Sequence, residues 1–224
     1  MLKTAMILAA GRGQRMGSLA EQTHKALLKI NERYLISYQL EKLAAIGVEK
    51  VVLNLHHFVE QVQTALGHEQ YGLQIDYSIE PELLGTGGGI YHALPLLGSE
   101  PFILLSADVW SDYPLGNLHA LPIELAHLVL TDNPSYHLQG DFALEGQKIV
   151  LEGEPKFTYA SIAVLHPKIF NKPKNPMFPL LEVLKPAITA DKVTGEYYAG
   201  KIFNANTPDE LQTLTEFVQH AEET

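Results

Sequence analysis

Gly11, Gly13 and Arg15 crowd the turn that follows the first apolar run, "MILAA", and a lone Lys25 stands before the next apolar pair. A glycine turn between a buried strand and a helix lets backbone N–H groups converge on a phosphate. The arginine and lysine would bring positive charge to the same place. A dinucleotide fingerprint, G-x-G-x-x-G, is interrupted, because Met16 stands where the third glycine belongs. The G-K-[ST] ending of a P-loop is missing as well. A tight strand-exit turn with a solvated arginine is the plain alternative. Far along the chain, Asp108 closes a second apolar run, "FILLSAD". The C-terminal end of a buried strand is where open α/β sheets bind ligands. A carboxylate at such a strand end is placed to meet a ligand, directly or through a bound cation. Asp is also common in turns after strands.

The elements that must position these residues alternate. Apolar runs predict strands at Thr4–Ala10, Lys50–His56, Leu73–Ile79, Pro101–Ala107 and Leu125–Thr131. Segments of helical period lie between the first four. Ile36, Leu40, Leu43 and Ala44 share one face before Gly47, and Val59, Val62 and Leu66 share another before Gly67. Such alternation implies right-handed crossovers and a mainly parallel sheet covered on both sides. The second half changes character. "GDFALEGQKIVLEG" predicts a hairpin, "TYASIAVL" a strand and "GEYYAGKIFNAN" a second hairpin. Thr207, Pro208 and Glu210 announce the last helix as N-cap, first helical residue and capping-box partner. Without a linker-like stretch, one α/β domain over 1–224 is expected.

Composition narrows the function. The formal charge of −10 argues against a general nucleic-acid binder, though local cations can still hold a phosphate. The absence of cysteine excludes disulfides, thiolate catalysis and zinc–thiolate sites. Met1–Ala10 is too short for a signal peptide and no apolar run spans a bilayer, so no membrane partner and a cytoplasmic location are expected. The ten histidines form no metal-spaced cluster, and His56 and His57 should point to opposite sides of a strand end.

The glycine turn and Lys25 together do more than either alone. "LAAGRGQRM…THKALLKI" resembles the signature of sugar-1-phosphate nucleotidyltransferases, close to L-A-A-G-x-G-x-R-M…T-P-K-P-L-L. The resemblance implies a three-layer, Rossmann-like (GT-A-like) α/β fold with a mixed, mainly parallel central sheet. It also implies that Ala10, Gly11 and Gly13 wrap a nucleoside triphosphate, that Arg15 binds its phosphates and that Lys25 meets the reacting phosphate. "EPELLGTGGGI" corresponds to the base-contacting segment, which suggests Glu80, Gly85 and Gly88 for the base pocket. Its L-G-T-x-G form also occurs in guanylyltransferases.

Asp108 falls on a metal position of that family. The second metal aspartate lies in a late W-x-D-V-G-T-P motif, and here "IFNANTP" puts Asn204 at the aspartate and Asn206 at the glycine. An amide oxygen coordinates Mg²⁺ without charge, so weaker binding is expected. Ala107 and Ser161 also replace family glycines. "LTDNPSYHLQGDFAL" resembles the N-P-x-x-H-x-x-G-D-F stretch of the bacterial N-acetylmuramic acid 1-phosphate uridylyltransferase branch, which serves peptidoglycan recycling. The sugar contacts implied there are Asp141, Glu152 and Tyr159, with a nucleotide part near 1–110 and a sugar part near 111–224. The expected reaction joins UTP and a sugar 1-phosphate, releasing pyrophosphate, with Mg²⁺ as cofactor. A guanylyltransferase and an impaired homologue that binds nucleotide without turnover are the alternatives. A dinucleotide oxidoreductase is a poor third, and the sequence leaves the oligomeric state open.

Overall fold

The computed structural model describes residues 1–170 and 175–222. Its strands are β1 (Thr4–Leu8), β2 (Lys29–Ile30), β3 (Arg33–Tyr34), β4 (Lys50–Leu55), β5 (Glu69–Gln70), β6 (Leu73–Ile79), β7 (Phe102–Ser106), β8 (Val109–Ser111), β9 (Ala126–Thr131), β10 (Phe142–Glu145), β11 (Lys148–Val150), β12 (Lys156–Leu165), β13 (Val193–Tyr197) and β14 (Ile202–Asn204). The helices are α1 (Leu19–Gln22), α2 (Leu35–Ala45), α3 (Val59–Leu66), α4 (Gly85–Leu97), α5 (Leu181–Thr189) and α6 (Pro208–Glu222). Ten strands form one sheet in the order β10-β11-β13-β9-β12-β7-β1-β4-β6-β5.

The architecture is α/β with a mixed sheet. Strands β7, β1, β4 and β6 run parallel, as the apolar runs require when both faces are covered. The parallel character stops there. Strand β12 runs antiparallel to both β7 and β9, and beyond it only β13 pairs parallel, with β9. On one face Ile36, Leu40 and Leu43 of α2 and Val62 and Leu66 of α3 join a buried core. On the other, Ile90, Ala93 and Leu97 of α4 and Leu184, Ala187 and Ile188 of α5 do the same. Helices α2 and α3 therefore bury the apolar stripes that their spacing announced.

The first expected hairpin is present, since β10 and β11 pair antiparallel with Glu145 opposite Lys148. The second is a correction. "GEYYAGKIFNAN" does not fold back on itself: β13 joins the main sheet beside β9, while β14 pairs with β8 in a separate ribbon. Asp112 holds the two apart, its carboxylate accepting from the Tyr198 hydroxyl at 2.7 Å and the Lys201 N–H at 2.8 Å. The last helix is capped as its sequence announced, because the Glu210 N–H donates to Thr207 Oγ1 at 3.2 Å and Glu210 Oε2 accepts from the Thr207 N–H at 3.1 Å.

Candidate active site

Strand order reverses beside β1, which has β4 on one side and β7 on the other. That reversal opens a crevice outside the carboxyl ends of the parallel strands. Four strand ends supply its walls: Leu8–Gly11 after β1, Asn54 on β4, Glu80 after β6, and Ser106–Asp108 at the end of β7. With His24, Lys25, Leu83, Gly85 and Thr86 they enclose a cavity of about 270 Å³.

Lys25 and Asp108 meet across this cavity. The Lys25 ammonium lies 2.6 Å from Asp108 Oδ2, with only 11% of the lysine side chain exposed. It also donates to Asn206 Oδ1 at 2.8 Å. The other Asp108 oxygen accepts from the Ser106 hydroxyl at 2.6 Å. Burial works to raise the Asp108 pKa, but the charge and hydrogen bonds of Lys25 and the Ser106 hydroxyl prevail and hold it below the usual carboxylate range. The turn carrying Asp108 is clamped from behind by the buried Gln39 of α2. Its amide donates to the carbonyls of Ser106 at 2.6 Å and Val109 at 2.5 Å.

The backbone before Lys25 is fixed by a histidine where the signature has proline. His24 is 1% exposed. Its Nε2 lies 2.7 Å from the Ala9 carbonyl, while Nδ1 accepts from the Ala26 N–H at 3.2 Å. Only the neutral ring with its proton on Nε2 satisfies both bonds. Burial, the largest influence, pulls the pKa down to about 4. The ring thus caps the 3₁₀ turn Lys25–Leu27 and ties it to the exit of β1.

A second relay links the other walls. The Ala9 N–H donates to Asn54 Oδ1 at 2.8 Å, and Asn54 Nδ2 donates to Glu80 Oε1 at 2.6 Å. Glu80 Oε2 in turn accepts from the Leu84 N–H at 3.1 Å, just ahead of α4. Glu80 is 2% exposed, so although it borders the cavity, both carboxylate oxygens are engaged with the protein.

The glycines of α4 serve the same packing. A Cβ on Gly87 would lie 2.5 Å from the Phe178 ring, and one on Gly88 would lie 2.2 Å from the Pro176 carbonyl oxygen. The N–H groups of Gly87 and Gly88 donate to the Phe178 carbonyl at 3.0 and 3.1 Å. The close approach that the glycines permit is therefore that of segment 176–180.

A larger cavity of about 630 Å³ adjoins the first and shares Leu8, Thr86 and Ser106 with it. Asp141, Glu152 and Tyr159 line it, together with Lys156 and Lys185. Asp141 is anchored, accepting from the Tyr159 N–H at 2.8 Å and lying 3.0 Å from His137 Nε2. Burial raises the Tyr159 pKa, so its hydroxyl stays protonated at neutral pH. Ser161 lines the same cavity at a bulge in β12 and holds φ at +57°, a left-handed conformation natural to the glycine it replaces.

The structure thus places Ala10, Gly11, Lys25, Glu80, Gly85 and Asp108 around one cavity, and Asp141, Glu152 and Tyr159 around the next. Gly13, at φ +61°, lies at the edge, where a Cβ would sit 3.7 Å from the Lys25 side chain. Arg15 is exposed on the 3₁₀ turn Gln14–Met16 and borders neither cavity. Gly88 is buried against Pro176 and borders neither. Asn204 pairs with Val109 across the β14–β8 ribbon, and its amide donates to the Tyr136 hydroxyl at 3.3 Å. The amide that reaches Lys25 is Asn206. Sequence reasoning passed over Asn206, Gln39, Asn54 and His24. The clue for His24 was its place beside Lys25; the other three carry none at short range.

The donor chemistry suits a hard divalent cation. One ionised carboxylate with neighbouring amide oxygens and substrate phosphates matches what Mg²⁺ takes. Among the described residues there is no group of three or more His, Cys, Asp or Glu side chains able to cage a metal without substrate.

Residues 5–111 match the family of MobA-like NTP transferase domains. The chain is 35% identical over 214 residues to the N-acetylmuramate alpha-1-phosphate uridylyltransferase of Neisseria meningitidis, covering 91% of this chain and 93% of that one. The Caulobacter vibrioides protein of the same name is 31% identical over 211 residues, with 86% and 87% covered. The fold matches that of a UDP-glucose pyrophosphorylase complexed with UDP-glucose, at a TM-score of 0.82 and 16% identity over 99% of this chain and all (100%) of that one.

Proposed function

The chain belongs to the sugar-1-phosphate nucleotidyltransferase family and is an enzyme, and from that premise we propose that it joins UTP to N-acetylmuramate 1-phosphate, releasing pyrophosphate. The observation that carries this reading is the Lys25–Asp108 pair at the strand-order reversal, in a cavity that shares Leu8, Thr86 and Ser106 with a larger one. The identity of the base and the sugar rests on similarity to the two uridylyltransferases over 91% and 86% of this chain.

The smaller cavity would take the nucleotide and the larger one the sugar, within one three-layer, GT-A-like domain. A sugar-phosphate oxygen attacks the α-phosphorus and pyrophosphate departs. The nucleophile is already an anion, so no general base is required. Positioning and charge neutralisation supply the rate. Lys25 offers its ammonium to the α-phosphate, and Arg15, exposed on the turn before α1, would meet the departing phosphates. Asp108 would hold Mg²⁺, which would neutralise phosphate charge there, with Asn204 the second ligand that the family motif assigns and Asn206 the amide that shares Lys25 with Asp108. The setting of such chemistry would be cytoplasmic recycling of cell-wall sugars; no described helix is long and apolar enough to cross a membrane.

The test gives purified protein Mg²⁺, each of UTP, GTP, CTP and dTTP, and a panel of sugar 1-phosphates, following pyrophosphate. Release with UTP and N-acetylmuramate 1-phosphate is the expected result. Preference for GTP with mannose 1-phosphate would replace it by a guanylyltransferase reading. Silence that Asn204→Asp reverses would establish an impaired site, and silence in both variants with nucleotide still bound would end the transferase reading for this chain.

A further inference from the structure

The larger cavity carries its own cations. Lys25 lines only the smaller cavity, whereas Lys156 of β12 and Lys185 of α5 line only the larger one. Most of the remaining wall is apolar, including Leu104, Phe142 and Leu184. Lys156 is held partly buried, its side chain 24% exposed, and its nearest carboxylate, Glu152, lies 3.8 Å away on a side chain 96% exposed. Such a solvated contact contributes little. Among the described residues no carboxylate pairs with Lys185, and Asp141 is already engaged by Tyr159 and His137. An apolar chamber with two weakly paired ammonium groups suits a ligand with both hydrocarbon surface and an anionic group.

The phosphate of a sugar 1-phosphate must pass the shared wall of Leu8, Thr86 and Ser106 to reach Lys25 in the smaller cavity. We infer that Lys156 and Lys185 read a second anion, a carboxylate on the sugar itself, and so select acidic over neutral sugar 1-phosphates. This rests on the function proposed above and sharpens it: the ether-linked lactate of N-acetylmuramate is such a group, and N-acetylglucosamine 1-phosphate is the same sugar without it. The apolar wall accommodates the lactate methyl while the lysines meet its carboxylate.

The experiment measures kcat/KM for both sugar phosphates with UTP in wild type, Lys156→Met, Lys185→Met and Lys156→Arg. Each methionine variant is expected to lower the ratio of the acidic to the neutral substrate by about tenfold, mostly through KM, as loss of one charge-assisted hydrogen bond should. Arginine at 156 restores most of the ratio. Equal losses on both substrates would mean that the lysines read the shared phosphate, and an unchanged ratio would mean that they read nothing; either overturns the inference while leaving the transferase standing. If wild type used neither sugar, the proposed function would fall, and this inference with it.

Discussion

Replacing His24 by glutamine removes a titrating ring but keeps an amide that can reach the Ala9 carbonyl. In the folded protein the imidazole has its pKa lowered to about 4 from an ordinary 6.5. Because the folded value is the lower one, the unfolded chain takes up the proton first. The stability contributed by the neutral ring is full above about pH 7 and drains away as pH falls through 6.5 toward 4. At about pH 5 the linkage costs wild type roughly 2 kcal/mol relative to about pH 7.5, and close to 3 kcal/mol by about pH 4. The geometry gives the same answer, since a proton on Nδ1 would face the Ala26 N–H and break that bond. Urea unfolding of wild type and His24→Gln across this range is the assay. Wild type should start the more stable by about 1 kcal/mol, for one better hydrogen bond, and lose that lead near pH 6, then fall below the variant. His57, its ring 5.0 Å from that of His24 and acting on it electrostatically, is replaced by glutamine in both proteins so that its own titration does not enter the difference. A stability difference that stays constant from about pH 7.5 to about pH 5 would refute the reasoning.

Three further outcomes follow from the same geometry. Lys25→Ala should lower kcat/KM at least about a hundredfold while unfolding remains cooperative, and retained turnover would remove Lys25 from the chemistry. Gln39→Leu strands the buried carbonyls of Ser106 and Val109, so unfolding experiments should show a loss of about 2–3 kcal/mol, with a fall in kcat as the Asp108 turn loosens. Ser161→Gly relieves a left-handed non-glycine residue and should raise stability by about 0.5–1 kcal/mol in urea; a loss would show that the serine is not strained there.

What the sequence made legible is what its neighbours decide. The apolar runs, the stripes of α2 and α3, the Thr207–Glu210 capping box and the turn around Gly11 all depend on residues a few positions apart. The pieces that escaped depend on distant partners. "GEYYAGKIFNAN" has the alternation of a hairpin, yet the open edges of β9 and β8 claim its two halves and Asp112 ties down the bend between them. Gln39 sits within a stripe that reads as core, and only the Asp108 turn above it explains an amide there. The glycines after Leu84 signal close approach without naming what approaches; segment 176–180, nearly a hundred residues on, takes the place.

The far wall shows the same limit more sharply. Spacing against the late family motif directs attention to Asn204, because a missing aspartate looks like a missing charge. Folding brings a different amide to Lys25, and its neutrality has a use. An ammonium has three N–H donors. Asp108 takes one and Asn206 takes another, which fixes the nitrogen and leaves one that, in the proposed reaction, would meet a phosphate oxygen. A second carboxylate at that contact would hold the nitrogen as well, but it would outweigh the positive charge that the incoming polyanion must meet. An amide holds without cancelling. With one carboxylate against one ammonium, the pair is electrically balanced before substrate arrives, whereas an aspartate in place of Asn206 would leave an excess negative charge at the contact that the phosphorylated ligands would approach.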